Sequence, residues 1–267
     1  MLFRSARRRL PRWSRGEVVA AAALVVAVVV YAVSDTYWVE RVCYDGTLLC
    51  AAAVAWLGAE RGPRSGRTVP RLIALGVSLS ALGDFTWDLL DAFGLPTDVS
   101  VADPMWMASY LALAGAVWLV LARSRPDRGR DPAFVIDVLT VVAVCVLVFW
   151  RIAVGSILGE EGLGAFATVV WSSYPVLDGV LLALVARALM SARARRAVDG
   201  TFALGVVVWL LSDTGAIVTS YEGLWQITVD AGWMVAPVLM ARSAWHSHSG
   251  PDEATPEGTE LEVLQER

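Results

Sequence analysis

Ala74-Leu75-Gly76-Val77, with Leu82 and Asp84 following, decides how this chain reads, because it returns ungapped as Ala203-Leu204-Gly205-Val206, Leu211 and Asp213. Two more acidic motifs flank it in the same order. Asp45-Gly46-Thr47-Leu48-Leu49 returns as Asp178-Gly179-Val180-Leu181-Leu182, and Asp103-Pro104-Met105-Trp106-Met107 returns as Asp230-Ala231-Gly232-Trp233-Met234. The offset between partners stays near about 130 residues and shrinks slightly along the chain, which points to an internal duplication. Each repeated acid lies in or at the edge of an apolar stretch, where charge is least welcome.

The composition fits a membrane protein. Hydrophobic residues make up 57% of the chain, against about 45–50% in soluble domains, and the mean hydropathy is +0.57. The net charge of −4 says little, since the charges are sorted by position. Every basic side chain is Arg, with no Lys anywhere. Cys43, Cys50 and Cys145 are odd in number, sit in apolar runs and lack metal spacing, so they read as small buried hydrophobes.

A bilayer crossing takes about 20 residues at about 1.5 Å each. Eight stretches qualify, near 17–34, 37–59, 71–93, 103–123, 134–154, 166–189, 201–220 and 225–245. The second is the weakest, because Glu40, Arg41 and Asp45 crowd its start. The first resembles a signal peptide, but its apolar core from Val18 to Val33 is longer than an h-region and reads as an uncleaved anchor. Arginines cluster before the first span and after the second, fourth and sixth, while the alternate connections carry only Arg41 and Arg151. That alternation puts both termini in the cytoplasm. The expected fold is therefore all-α and polytopic, with eight transmembrane helices as two parallel four-helix repeats (17–123 and 134–245) related by an axis along the membrane normal. Residues 1–16 form a basic cytoplasmic N-terminus, 17–246 the membrane domain, and 247–267 an acidic, disordered cytoplasmic tail.

Asp84, Asp213, Asp45 and Asp178 all fall about 12–14 residues, or roughly 20 Å, from the cytoplasmic ends of their helices. Asp103 and Asp230 lie nearer the outer surface. Four such acids facing lipid would cost about 10 kcal/mol, too much for a protein stable by about 5–15, so they face the bundle interior or a wet cavity. Arg41 falls in an outer connection on this reading, and Arg151 is the one basic residue within the spans available to neutralise the acids. Protons, bound cations or a polar ligand would take that part. Trp87, Tyr174 and Trp233 stand three or four residues from Asp84, Asp178 and Asp230, on the same helix faces, with donors for carboxylates and ring faces for cations. The plainer reading has each acid hydrogen-bonding across helices to fix packing.

Catalytic constellations are absent. No His lies within a span, and neither a phosphate-binding Gly-Lys loop nor a Cys pair is present. His246 and His248 read as a solvated pair at the membrane edge. The loop arginines are accounted for by topology, which leaves no case for nucleic acid.

Gly83-Asp84 with Trp87, Ala102-Asp103 followed by Tyr110 and Leu111, Arg130-Asp131 with Asp137, Ser173-Tyr174-Pro175 with Asp178, and Ser212-Asp213 together resemble the membrane-embedded N-terminal region of actinobacterial GGDEF/EAL signalling proteins, the cyclic-di-GMP cyclase and phosphodiesterase class. The fourth helix departs from the pattern in lacking a proline after Tyr110. No GGDEF, EAL or PAS segment follows, so the resemblance implies an input role without cyclase or phosphodiesterase activity, in a truncated or stand-alone copy.

The expected function is a multi-pass sensory module of the cell membrane. Asp45, Asp84, Asp103, Asp178, Asp213, Asp230, Trp87, Tyr174 and Trp233 would line an outward-facing acidic cavity for a small polar or cationic ligand. The last helix would signal to the cytoplasm and a partner there. A proton- or cation-coupled carrier is the alternative, and an intramembrane carboxylate hydrolase the third reading. Cofactor, metal and ligand identity, and whether the chain is a homodimer, stay open.

Overall fold

The computed structural model describes residues 14–124, 132–154, 157, 164–191, 194–197, 199–219 and 221–246. The basic residues 1–13 and the tail from 247 lie outside the described residues, as do Arg125, Arg128, Arg130, Arg193 and His248. All regular structure among the described residues is helical. The long helices are α1 (Arg15–Val33), α2 (Tyr37–Arg61), α3 (Thr68–Ala92), α4 (Ala102–Arg123), α5 (Pro132–Phe149), α6 (Ala165–Met190), α7 (Gly200–Val218) and α8 (Gly223–His246).

Seven of these, all but α5, are long and apolar enough to cross a membrane. The fifth expected span is divided: α5 ends at Phe149 and a π-helical turn, Trp150–Val154, takes over. Arg151 belongs to that turn and is exposed. The α3 and α6 helices run unbroken through Gly83 and Pro175.

Local chemistry fixes the helix starts. At α1 the Ser14 backbone N–H donates to Glu17 Oε2 (2.7 Å) and the Glu17 N–H donates to Ser14 Oγ (3.2 Å), a reciprocal capping box. Asp199 caps α7 by accepting from the Phe202 N–H at 2.9 Å. The α3–α4 connection turns at Gly94, whose φ of 64° is left-handed backbone that glycine adopts without strain. Asp103 then reaches back to accept from the Ser100 N–H at 2.8 Å.

Lipid offers no hydrophobic gain for burying one apolar helix against another, so close packing must hold the bundle. Small residues make that packing: Ala51, Ala55, Ala59, Ala74 and Ala116 are all buried in the shared core. Gly76 and Gly205, corresponding residues of the repeated motif, make equivalent contacts. A Cβ on Gly76 would meet the Leu113 side chain and the Ser109 carbonyl of α4, and one on Gly205 would meet Met240 and the Ala236 carbonyl of α8. Leu113 and Met240, like Ser109 and Ala236, are themselves one repeat apart. Large apolar side chains point outward instead; Val25, Leu57, Leu111, Leu147 and Leu211 are each more than half exposed.

One end of the bundle gathers the arginines. Glu60 accepts from Arg67 (2.6 Å) and Arg71 (2.7 Å), the Arg61 guanidinium lies 3.3 Å from the centre of the Trp245 ring, and Arg242 and His246 of α8 reach Glu17 of α1 at 2.7 and 3.1 Å. At that end α2 and α8 approach so closely that a Cβ on Gly58 would sit 2.6 Å from the Trp245 backbone. Backbone cannot swing aside as a side-chain tip can, so Gly58→Ala is expected to destabilise the protein by about 1–3 kcal/mol. Gly46→Ala, with open space around the new methyl group, is expected to be neutral. Thermal unfolding of both variants in detergent checks the contrast.

Candidate functional site

The opposite end of the bundle opens into a cavity of about 970 Å³. Its wall comes from the C-terminal turns of α1, α3 and α7 and from the N-terminal parts of α2, α4, α6 and α8. These are the helix ends remote from the arginine cluster.

Seven of the nine sequence-predicted residues lie on that wall: Asp84, Trp87, Asp103, Tyr174, Asp213, Asp230 and Trp233. Both halves of the chain contribute. Asp45 and Asp178 do not reach the wall; each stands behind a wall acid, Asp45 beside Asp88 and Asp178 beside Asp213. Carboxylates therefore converge on one chamber, but most of them are also bonded by neighbours.

The bonds to these acids come mainly from phenols and indoles. Tyr174 donates to Asp103 Oδ1 at 2.6 Å. Asp230 accepts from both Tyr31 and Tyr221. Asp213 accepts from Trp233 Nε1 at 2.6 Å and also meets the Tyr110 hydroxyl, which lies 2.6 Å from Asp178 Oδ1. The Trp106 indole packs against Gly83, where a Cβ would be 2.5 Å from its Nε1, and lies beside Asp84. Trp106 with Asp84 and Trp233 with Asp213 are thus equivalent pairs, one repeat apart. Three of the tyrosines join the first half of the chain to the second: Tyr31 with Asp230, Tyr110 with Asp178 and Asp213, and Tyr174 with Asp103.

Arg41 corrects the sequence reading. It lies within α2, as the 37–59 span has it, and not in the outer connection to which the arginine pattern assigns it, and its guanidinium pairs with Asp88 at the cavity wall. The same guanidinium lies 5.3 Å from the Tyr37 ring centre and 5.9 Å from that of Trp87. An aromatic face beside a carboxylate already holds one cation here. Arg151, the one basic residue that the sequence reading left within the spans, is exposed in the π-helical turn.

Sequence reasoning also missed Tyr31, Tyr110, Tyr221 and Asp88 as site residues. Trp171 adds a further contact, donating to the Asp98 carbonyl at 2.8 Å and so fastening the α3–α4 connection to α6. Five indoles, those of Trp87, Trp106, Trp171, Trp209 and Trp233, face the chamber. Among the described residues no three acids, histidines or cysteines gather as metal ligands do. No family model, curated protein or solved structure matches the chain.

The Arg41–Asp88 pair generates a test. Asp88 is 7% exposed, so removing its partner leaves a buried carboxylate without its counter-charge. Arg41→Met is expected to destabilise the protein by about 3 kcal/mol, and Arg41→Met combined with Asp88→Asn to recover most of the loss. A double-mutant cycle on thermal unfolding measures this.

Proposed function

We propose that the chain is a membrane-embedded receptor module that takes a small organic cation into the acidic, indole-walled chamber from the face opposite the arginine-bearing end. One observation carries the reading: Asp84, Asp103, Asp213 and Asp230, contributed by both halves, line a single chamber together with five tryptophans. Carboxylates supply long-range attraction for a cation, and indole faces supply short-range attraction through the ring quadrupole, about 0.5–2 kcal/mol per contact. Arg41 occupies part of that surface as a cationic ligand would.

The module is read as eight crossings in two parallel four-helix repeats, α5 with its π-helical turn completing the eighth. The equivalent contacts of Gly76 and Gly205 support the repeat. The arginine cluster marks the cytoplasmic end by the positive-inside rule, which puts both termini in the cytoplasm and the chain in the cell membrane. The α8 helix is the natural output. Asp230 and Trp233 line the chamber, and about 18 Å further along the same helix Arg242 and His246 hold Glu17 of α1. A ligand that binds one setting of α8 better than another shifts its population in proportion to that difference in affinity. An input role of this kind is what the resemblance to GGDEF/EAL-associated membrane regions implies. The carrier reading gains less support, because the midplane sites of such carriers use broken helices and α3 and α6 run unbroken.

Tetramethylammonium tests the reading. Added to the purified protein, it is expected to quench tryptophan fluorescence saturably. Asp84→Asn and Asp213→Asn should each weaken that binding at least tenfold, while Glu60→Gln at the far end leaves it unchanged. A linear, unsaturated response in the wild type would contradict the proposal.

A further inference from the structure

The Tyr110 hydroxyl touches two carboxyl groups, and it has one hydrogen. It lies 2.6 Å from Asp178 Oδ1 of α6 and also contacts Asp213 of α7. A phenol donates one bond and accepts others. If it donates to one carboxylate, the second contact sets two oxygens with no proton between them. Two anions on either side of one neutral hydroxyl, away from water, repel each other without relief. The contact is favourable only when the second carboxyl brings a proton of its own.

The remaining partners say which carboxyl that is. Asp213 already accepts from Trp233 Nε1 at 2.6 Å, and the Trp209 indole is close enough to assist. Asp178 is 1% exposed, and its Oδ2 has no hydrogen-bond partner. The groups facing the pair are Tyr110 of α4, Trp209 of α7, Trp233 of α8 and Tyr174 on its own helix, with Asp84 of α3 acting on Asp213 from the chamber wall. None of these is a cation.

We propose that Asp178 is a proton-binding site, a neutral carboxylic acid whose O–H donates to the Tyr110 oxygen while Tyr110 donates to the Asp213 carboxylate. The three groups form a relay from the chamber wall to a fully buried acid. When Asp178 has lost its proton, Tyr110 donates to the Asp178 carboxylate; a proton arriving at Asp213 then moves to the Tyr110 oxygen as the Tyr110 hydrogen moves to Asp178, so Asp178 is neutral again, Asp213 is a carboxylate and the phenol is restored. The charge behind the chamber wall is then set by whether this site holds its proton. The site rests on hydrogen-bond accounting and not on any ligand in the chamber, so tetramethylammonium binding and Asp178 protonation succeed or fail separately.

Infrared spectroscopy of the full-length protein in detergent at neutral pH reads it directly. A protonated carboxyl has a carbonyl stretch distinct from that of a carboxylate, and it shifts in D2O. Such a band is expected in the wild type, lost or reduced in Asp178→Asn, moved in frequency in Tyr110→Phe, and unchanged in Asp103→Asn. Asn mimics the neutral acid in shape, so Asp178→Asn should keep its helix content and unfolding temperature. If that variant does not fold, Tyr110→Phe decides alone. A wild-type spectrum without the acid band, or a band that Asp178→Asn or Tyr110→Phe leaves untouched, overturns the proposal.

Discussion

Neutral donors hold buried carboxylates in this bundle, and the rest of the architecture follows from that. In a low-dielectric interior a carboxylate left alone is expensive, whether or not it is ionised. The common solution is an arginine or lysine partner, and among the described residues it serves at the wall for Asp88 alone. Asp103, Asp213 and Asp230 are met by phenols and an indole. Such donors satisfy an oxygen without cancelling its charge. The acids can therefore be held in the interior without a matching set of basic side chains.

The same bonds join the two halves. Tyr31, Tyr110 and Tyr174 each reach across from one half of the chain to an acid in the other. Glycines bring the helices near enough for those reaches to be short, Gly76 against α4 and Gly205 against α8. On the duplicated reading, the halves share their acids and the Trp106 and Trp233 indoles, but not the Tyr110 phenol or the Arg41 guanidinium. Tyr110 corresponds to Pro237 and Arg41 to Tyr174. On that reading, matched carboxylates with partly unmatched donors leave the chamber without twofold character.

Much of the fold was legible in the sequence because lipid imposes a single length scale on apolar stretches. The helix limits fall close to the expected ones, α8 at Gly223–His246 against 225–245, for example. The fifth span was the exception, since an apolar stretch does not reveal that its backbone turns π-helical at Trp150. The acids were legible as well, being rare within such stretches, and their shared depth put them at one end. Their partners were not. Tyr31 and Asp230 are 199 residues apart, and Tyr110 and Asp213 are 103 apart. Periodicity tells which face of a helix is apolar, not which helix lies against it. Arg41 was misassigned for a related reason: charge near a helix start reads as loop until its partner, Asp88 of α3, is seen. Asp45 and Asp178 were expected at the wall by analogy with their neighbours. Depth alone could not tell a residue on the wall from one a layer behind it.

On the proposed reading, both halves build one chamber, open on the face away from the arginines and attractive to cations. Cysteine labelling in intact cells tests it most directly, with Cys43, Cys50 and Cys145 replaced and single cysteines introduced at Thr97 and Gln226 on the chamber wall. A membrane-impermeant, positively charged thiol reagent applied from outside should label both positions, and tetramethylammonium should protect both. Labelling only after the cells are permeabilised, or at a rate indifferent to tetramethylammonium at both positions, would contradict it.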